Sequence, residues 1–248
     1  MEILDGGVEV WIVVAITALA AGFVRGLAGF GLSVLLVPIL GNVIAPPLAV
    51  LVGNLSLFLV GLTDIGRIRK SADGSAWRIA IIALLAVPLG LLAVTALSSD
   101  WARFLIALVS LGSFILVVTP LGPLRMPRLP AMTLSGLATG FFGGFAGMPG
   151  PGMAPFYLRG KVTPEVARAS MMAIFLVVTP LSSALFLATG TGGSREIVLA
   201  LCLFPLVLVG DWLGHRAYGR VTERQWRISV FVLLGATATV SLGRLALT

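Results

Sequence analysis

Long apolar stretches separated by short charged connectors dominate the chain, and a spanning helix needs about 20 such residues. Six stretches read as uninterrupted crossings, at 48–66, 77–97, 101–121, 166–189, 197–218 and 226–247. Trp77, Trp101 and Trp226 stand at their ends, as in an interfacial aromatic belt. Two further stretches, 10–40 and 130–158, are too long for one straight span, and glycine and proline interrupt them in the middle. The pattern predicts an all-α integral membrane protein with eight hydrophobic segments.

The two interrupted stretches are related. Gly22-Phe23-Val24-Arg25-Gly26-Leu27-Ala28-Gly29-Phe30 and Gly140-Phe141-Phe142-Gly143-Gly144-Phe145-Ala146-Gly147-Met148 agree at five of nine positions, at an offset of 118 residues. Each runs on to a proline, Pro38 or Pro155; Pro46 matches Pro164 at the same offset, and Pro88 matches Pro205 one residue off it. This predicts one membrane domain over 1–248 made of two homologous repeats, 8–122 and 129–248. Each repeat is a broken segment followed by three transmembrane helices. In a membrane chain, paired interrupted segments point to a transport site.

Basic residues collect in cytoplasmic connectors and so discriminate between two topologies. If each broken segment crosses once, eight basic residues fall on either side, which is no bias. If each is a re-entrant hairpin, thirteen fall on one side and only Arg103, Arg195 and Arg244 on the other, with Arg25 left inside the membrane. The hairpin arrangement is therefore expected. It inverts the two repeats and puts both termini outside, where the acidic Glu2, Asp5 and Glu9 fit. The same acidic start argues against a cleaved signal peptide.

Composition narrows the classes. With 58% hydrophobic and 11% charged residues and a mean hydropathy of +1.08, a soluble globular domain is excluded. The net charge of +7 sits at the ends of apolar runs, so it belongs to membrane connectors and not to a nucleic-acid surface. Cys202 is the only cysteine, which leaves no disulfide framework and no cysteine metal site. There is no Gly-x-Ser-x-Gly elbow, His-Glu-x-x-His pair, Walker loop or dinucleotide fingerprint. No enzyme, cofactor or metal is expected.

The candidate chemistry lies at the glycine motifs. Irregular backbone survives in hydrocarbon only where it is buried in protein or lines a wet cavity. Pro149 and Pro151 stop the helix in the run Gly147 to Gly152, so the half-helix that follows presents free amides and a positive dipole end to an anion. Gly144, Gly147, Gly150 and Gly152 in the second copy, and Gly26, Gly29 and Gly31 with the Ser33 hydroxyl in the first, are the expected substrate contacts. The competing reading is tight helix packing through Gly22-x-x-x-Gly26 and Gly140-x-x-x-Gly144. Arg25 lies about 20 Å of helix into its stretch, and an ionisable group inside the membrane is a functional-site hypothesis by default. It is expected to hold the anion's charge, unless a shallower hairpin lets it snorkel to the interface. Asn54, Ser56 and Ser170, on the spans after the breaks, are further contacts or interhelical hydrogen-bonders. Asp64 and Asp211 are proton-coupling candidates; the blander reading pairs them locally with Arg67 and with Arg216 or His215.

At these motifs the chain resembles the TauE/SafE family of membrane transporters. The matching residues are Gly22 to Pro38, Gly140 to Pro155, the proline-led helices at Pro46 and Pro164, and Pro205 to Gly214. The resemblance implies a small sulfur oxyanion or sulfonate as substrate, with export the commoner direction. The expectation is a secondary transporter of small anions in the bacterial inner membrane, exporting sulfite or an organosulfonate by alternating access. The alternatives are an uptake or channel-like pathway for another small solute, or a non-transporting membrane subunit.

Overall fold

The computed structural model describes residues 7–119, 126–159 and 162–217. The expected span 226–247 with Trp226, the connector residues Arg125, Lys161, Arg220, Arg224, Arg227 and Arg244, and the acidic Glu2 and Asp5 lie outside the described residues. The described regular structure is helical: α1 Val8–Ala28, α2 Leu32–Leu40, α3 Pro46–Thr63, α4 Ile65–Ser71, α5 Gly74–Ala96, α6 Ser99–Val118, α7 Arg128–Ala146, α8 Gly150–Leu158, α9 Pro164–Ala188 and α10 Ser194–Ala217. Seven of these (α1, α3, α5, α6, α7, α9 and α10) are long and apolar enough to cross a membrane.

Helices α3 and α9 begin at prolines, which the first turn tolerates because its amides have no intrahelical partner anyway. Thr163 caps α9 by accepting from the Val166 amide at 3.4 Å. Outward faces are apolar. Ile81, Leu85, Leu89 and Leu92 form a stripe along α5, each more than half exposed, which lipid would solvate as it would the protein interior. Trp77 and Trp101 are about half exposed at the ends of α5 and α6.

The interruptions lie at the glycine runs that the sequence singles out, although past the middle of each stretch. They fall two-thirds of the way along each stretch, leaving long arms of 21 and 19 residues (α1, α7) and short arms of nine (α2, α8). Glycines at positive φ set them: Gly29 at 83°, Gly31 at 105° and Gly147 at 64°. Pro38 and Pro155, by contrast, lie inside α2 and α8 without ending them. For Pro38 the reason is visible. The Val34 carbonyl, which proline cannot satisfy, accepts from the Ser110 hydroxyl of α6 at 2.7 Å.

Two helix pairs pack at backbone contact. A Cβ on Gly22 or Gly26 would run into the carbonyl oxygen of Val207 or Asp211, and one on Gly210 or Gly214 into that of Leu19 or Phe23. Thus α1 and α10 run parallel in close register. Gly140 and Gly144 of α7 meet the Ala83 and Val87 carbonyls of α5 in the same way, and Gly90 meets that of Phe141. The packing reading of the Gly-x-x-x-Gly spacings therefore holds for both copies.

Contacts also gather helix ends into two sets. Arg25 meets Asp64 and Asp211, Asp73 meets Arg128 and Ser170, and Ser75 meets Tyr157. At the other end, Arg103 donates to the Gly41 carbonyl at 2.7 Å and Gly192 packs on Leu48 and Leu51. The first residue of α7 reaches Asp73 in the connector before α5, and the C-terminal turn of α8 reaches Ser75 in the first turn of α5.

Candidate functional site

The two breaks touch. Gly29 ends α1 in a left-handed turn, its amide donating to the Arg25 carbonyl at 2.6 Å, and Gly31 opens α2. Gly147 ends α7, and α8 starts at Gly150 behind Pro149. The Phe30 ring lies 3.4 Å from where a Cβ of Gly150 would stand. Phe30 is buried in the apolar cluster around α8 and α9, and Met148, its match in the second motif, in the cluster around α2 and α3. No side chain caps α2 or α8, so their first-turn amides keep the positive end of each helix uncompensated.

Beside the breaks lies a buried uncharged polar group. The Asn54 amide donates to the Gly143 carbonyl at 3.1 Å and to Ser182 Oγ at 3.0 Å. Asn54 Oδ1 and the hydroxyls of Ser33, Ser56, Thr139 and Ser183 are buried without a hydrogen-bond partner. Buried polar atoms left unpaired are costly in an apolar interior, and these five lie on α2, α3, α7 and α9, the helices that form or flank the breaks.

Toward one end of the bundle the breaks lead to a charge cluster. Arg25, fully buried in the last turn of α1, donates from Nη1 to Asp211 Oδ1 at 2.6 Å and from Nη2 to Asp64 Oδ2. Asp64 Oδ1 accepts from Arg67 Nη1 at 2.8 Å. His215 Nδ1 lies 2.9 Å from the Asp211 carbonyl and 3.2 Å from Asp211 Oδ2, and its Nε2 lies 2.6 Å from Arg67 Nη1. Every carboxylate oxygen in the cluster has a partner, whereas Arg25 Nε has none. Buried ion pairs survive only with this sort of saturation.

A cleft of about 380 Å³ opens against the cluster, lined by Arg67, Lys70, Ser71, Glu165, Arg168 and His215 among others. Arg168 crosses its inner wall to donate to the Gly26 carbonyl at 2.6 Å, and its stem packs where a Cβ of Gly29 would go. The cleft thus connects, through Arg67, His215 and Arg168, to Arg25 and the first break. Its charged lining is mainly basic, which raises the local concentration of anions.

The expected site residues divide. Gly29, Gly31, Ser33, Asn54, Gly147 and Gly150 lie at or beside the touching breaks, and Arg25, Asp64 and Asp211 form the charge cluster. Gly26 and Gly144 lie at helix crossings, and Gly152 packs against the backbone of Ala138 and Thr139. Ser170 is elsewhere: its hydroxyl accepts from the Asp73 amide at 2.8 Å. Asp73 itself, in a connector, is held below the usual carboxylate range by the Ser75 hydroxyl, with Arg128 adding to the effect. Of the local pairs expected for the aspartates, Arg67 and His215 are found, while Arg216 stacks over the Trp212 ring at 3.7 Å.

Sequence reasoning missed three contributors. Arg168 reads as one more connector base, and Ser182 and Thr139 as ordinary small polar residues; the reach of Arg168 to the Gly26 carbonyl and the burial of the other two beside the breaks mark them. Among the described residues, no group of three or more His, Cys, Asp or Glu side chains could hold a metal ion.

The model of the family described as "Sulfite exporter TauE/SafE" matches residues 14–240, nearly the whole chain. Neither a curated protein nor a solved structure matches. The matched family is one of membrane transporters of the sulfite and sulfonate type, and seven apolar helices agree with a multi-pass protein. The chain belongs to the TauE/SafE sulfite exporter family, and it is a transporter and not an enzyme.

Proposed function

We propose that the protein exports sulfite or a small organosulfonate across the bacterial inner membrane by alternating access. The observation that carries this is the contact between two uncapped half-helices, Phe30 against Gly150, next to a fully buried arginine that lies behind the Arg67, Arg168 and His215 lining of a basic cleft. An oxyanion between the breaks would meet the first-turn amides of α2 and α8 and the hydroxyl of Ser33. The amide of Asn54 stands at the flank, and Arg25 supplies the opposing charge. Gly29, Gly31, Gly147 and Gly150 keep the backbone within reach. Gly26, Gly144 and Gly152 hold the surrounding helices close enough for that geometry, and Ser170 fixes the connector that closes the cytoplasmic end.

The proposal includes an architecture: two inverted repeats, 8–122 and 129–248, each beginning with a re-entrant hairpin. Three observations support it. The long arm of each hairpin packs on a helix of the opposite half, α1 on α10 and α7 on α5. Matching motif residues, Phe30 and Met148, bury in exchanged cores. The cleft-side helix ends collect Arg67, Arg69, Lys70, Arg78, Arg128, Arg159, Arg168 and Arg216, the expected cytoplasmic side. A cleft on that side receives anion from the cytoplasm, and rocking of one repeat against the other would pass it outward.

The test is flux of labelled sulfite, and of a panel of sulfonates, into or out of liposomes carrying the purified protein. Saturable, protein-dependent flux is expected. A non-transporting subunit would give none.

A further inference from the structure

The charge cluster is balanced before any substrate arrives. Arginine has no acceptor atom, so the 2.6 Å contact from Arg67 Nη1 makes His215 Nε2 the acceptor. The imidazole is then neutral, with its proton on Nδ1, aimed at the Asp211 carbonyl at 2.9 Å and at Asp211 Oδ2 at 3.2 Å. The charges of two guanidinium groups and two carboxylates cancel, and the neutral ring adds nothing. Arg25 is therefore not a spare cation: Asp64 and Asp211 already hold its charge. Its unpartnered Nε–H is nonetheless an unfilled donor on a side chain with no solvent exposure.

A lone monoanion bound at that donor would give a buried cluster a net negative charge, which a membrane interior penalises heavily. One site in the cluster is built to offset it. His215 Nε2 has a lone pair, lines the cleft and belongs to a side chain that is 19% exposed, so protons can reach it while Arg25 is sealed. The other groups facing His215 are Asp211 on its own helix and Arg67, Lys70, Arg168 and Glu165 around the cleft, while Arg216, next in sequence, is turned onto the Trp212 ring. Asp64 and Arg25 stand one contact further in.

We infer that the protein moves its anion together with a proton, carried by His215 while the anion occupies Arg25. This rests on the anion-transport reading above. A proton from cleft water adds to the Nε2 lone pair, and Arg67 loses its acceptor and faces a new positive charge. The imidazolium, through Nδ1–H, then balances Asp211, which lets Arg25 turn Nη1–H and Nε–H toward the anion. When the site opens to the other side the anion leaves, Asp211 takes Arg25 back and His215 returns its proton to water. No other bond forms or breaks. The transport step is electroneutral for a monoanion.

Liposomes with the protein, a trapped pH dye, labelled sulfite and a valinomycin-set potassium potential test this, with protein-free vesicles subtracting the unassisted movement of the protonated acid. About one proton should travel with each monoanion, and a 100 mV potential should leave the final anion ratio unchanged, whereas an unaccompanied monoanion would shift about 50-fold. His215→Gln should abolish the proton movement. Protein-dependent flux that follows the potential, with no pH change inside, overturns the inference and leaves the transport reading standing. Absence of any protein-dependent flux overturns both, and the wild-type measurements decide the matter even if the variant misfolds.

Discussion

Arg25 and Asp211 are 186 residues apart in sequence and 2.6 Å apart in the fold, both buried, on two helices that touch at backbone distance. With Asp64 on the far side, Arg25 ties the C-terminal turn of α1 to the ends of α3 and α10. Removing one partner of a buried pair leaves an uncompensated charge and costs about 3–5 kcal/mol. Arg25→Ala should therefore lower the thermal transition of the detergent-purified protein as well as abolish flux. Arg25→Ala combined with Asp211→Asn should recover most of the stability and none of the flux. If the double variant transports, Arg25 serves packing alone.

The glycines at the α1–α10 crossing make a separate prediction. A Cβ at Gly22, Gly26 or Gly210 has a carbonyl oxygen in its place, so Gly26→Ala or Gly210→Ala must push the helices apart. A loss of about 1–3 kcal/mol is expected from overpacking of this kind. Gly112 of α6, with nothing within 4 Å of the added carbon, is the control. There, Gly→Ala should be neutral or stabilise by up to about 1 kcal/mol through helix propensity. Thermal shift in one detergent compares the three directly.

These crossings also show what can be read from a sequence. The spacing of Gly22 and Gly26 announces a tight contact, and hydropathy announces α3, α5, α6, α9 and α10, because both signals are local. Which helix occupies the contact is not local. That Asp211 lies opposite Gly26, and so within reach of Arg25, depends on a pairing between the two ends of the chain. Arg67 and Asp64 were legible at i,i+3; Arg25 and its two carboxylates were not. The breaks themselves were legible, because a glycine run is a local signal, but the tolerance of α2 for a proline was not. Pro38 looks like a breaker until Ser110 of another helix supplies the hydrogen bond it forfeits. Ser170 followed its repeat into the site on paper, whereas the fold uses it to satisfy the Asp73 amide.

Gly147 tests the second break. Its φ of 64° is a conformation that costs other residues about 1–2 kcal/mol, and an added Cβ would lie 3.1 Å from the Val50 carbonyl. Gly147→Ala should shift the start of α8 against Phe30 and reduce the rate of sulfite flux at least about tenfold, the factor that a little over 1 kcal/mol of misplacement gives. Gly190 shares a positive φ of 71° but has nothing around it and lies between α9 and α10. Gly190→Ala should cost stability without that loss of flux. Equal flux in the two variants would detach the break from transport.

The inverted arrangement is tested by labelling from one side. With Cys202 replaced by serine, single cysteines at Gly74, Ser98, Thr163 and Ser194 occupy four exposed positions in connectors or at helix starts. If the broken segments return to the side they came from, Gly74→Cys and Thr163→Cys share one face, and Ser98→Cys and Ser194→Cys share the other. If each broken segment crosses once, the partners exchange: position 74 goes with 194, and 98 with 163. An impermeant maleimide added to sealed, right-side-out vesicles should label the 98 and 194 variants and leave 74 and 163 unlabelled until detergent is added. The exchanged pattern would move the basic cleft and Arg25 out of register with a cytoplasmic source of anion. It would also undo the bias of basic residues that gave the hairpins their direction, since Thr163 adjoins Arg159 and Arg168 while Ser194 adjoins only Arg195.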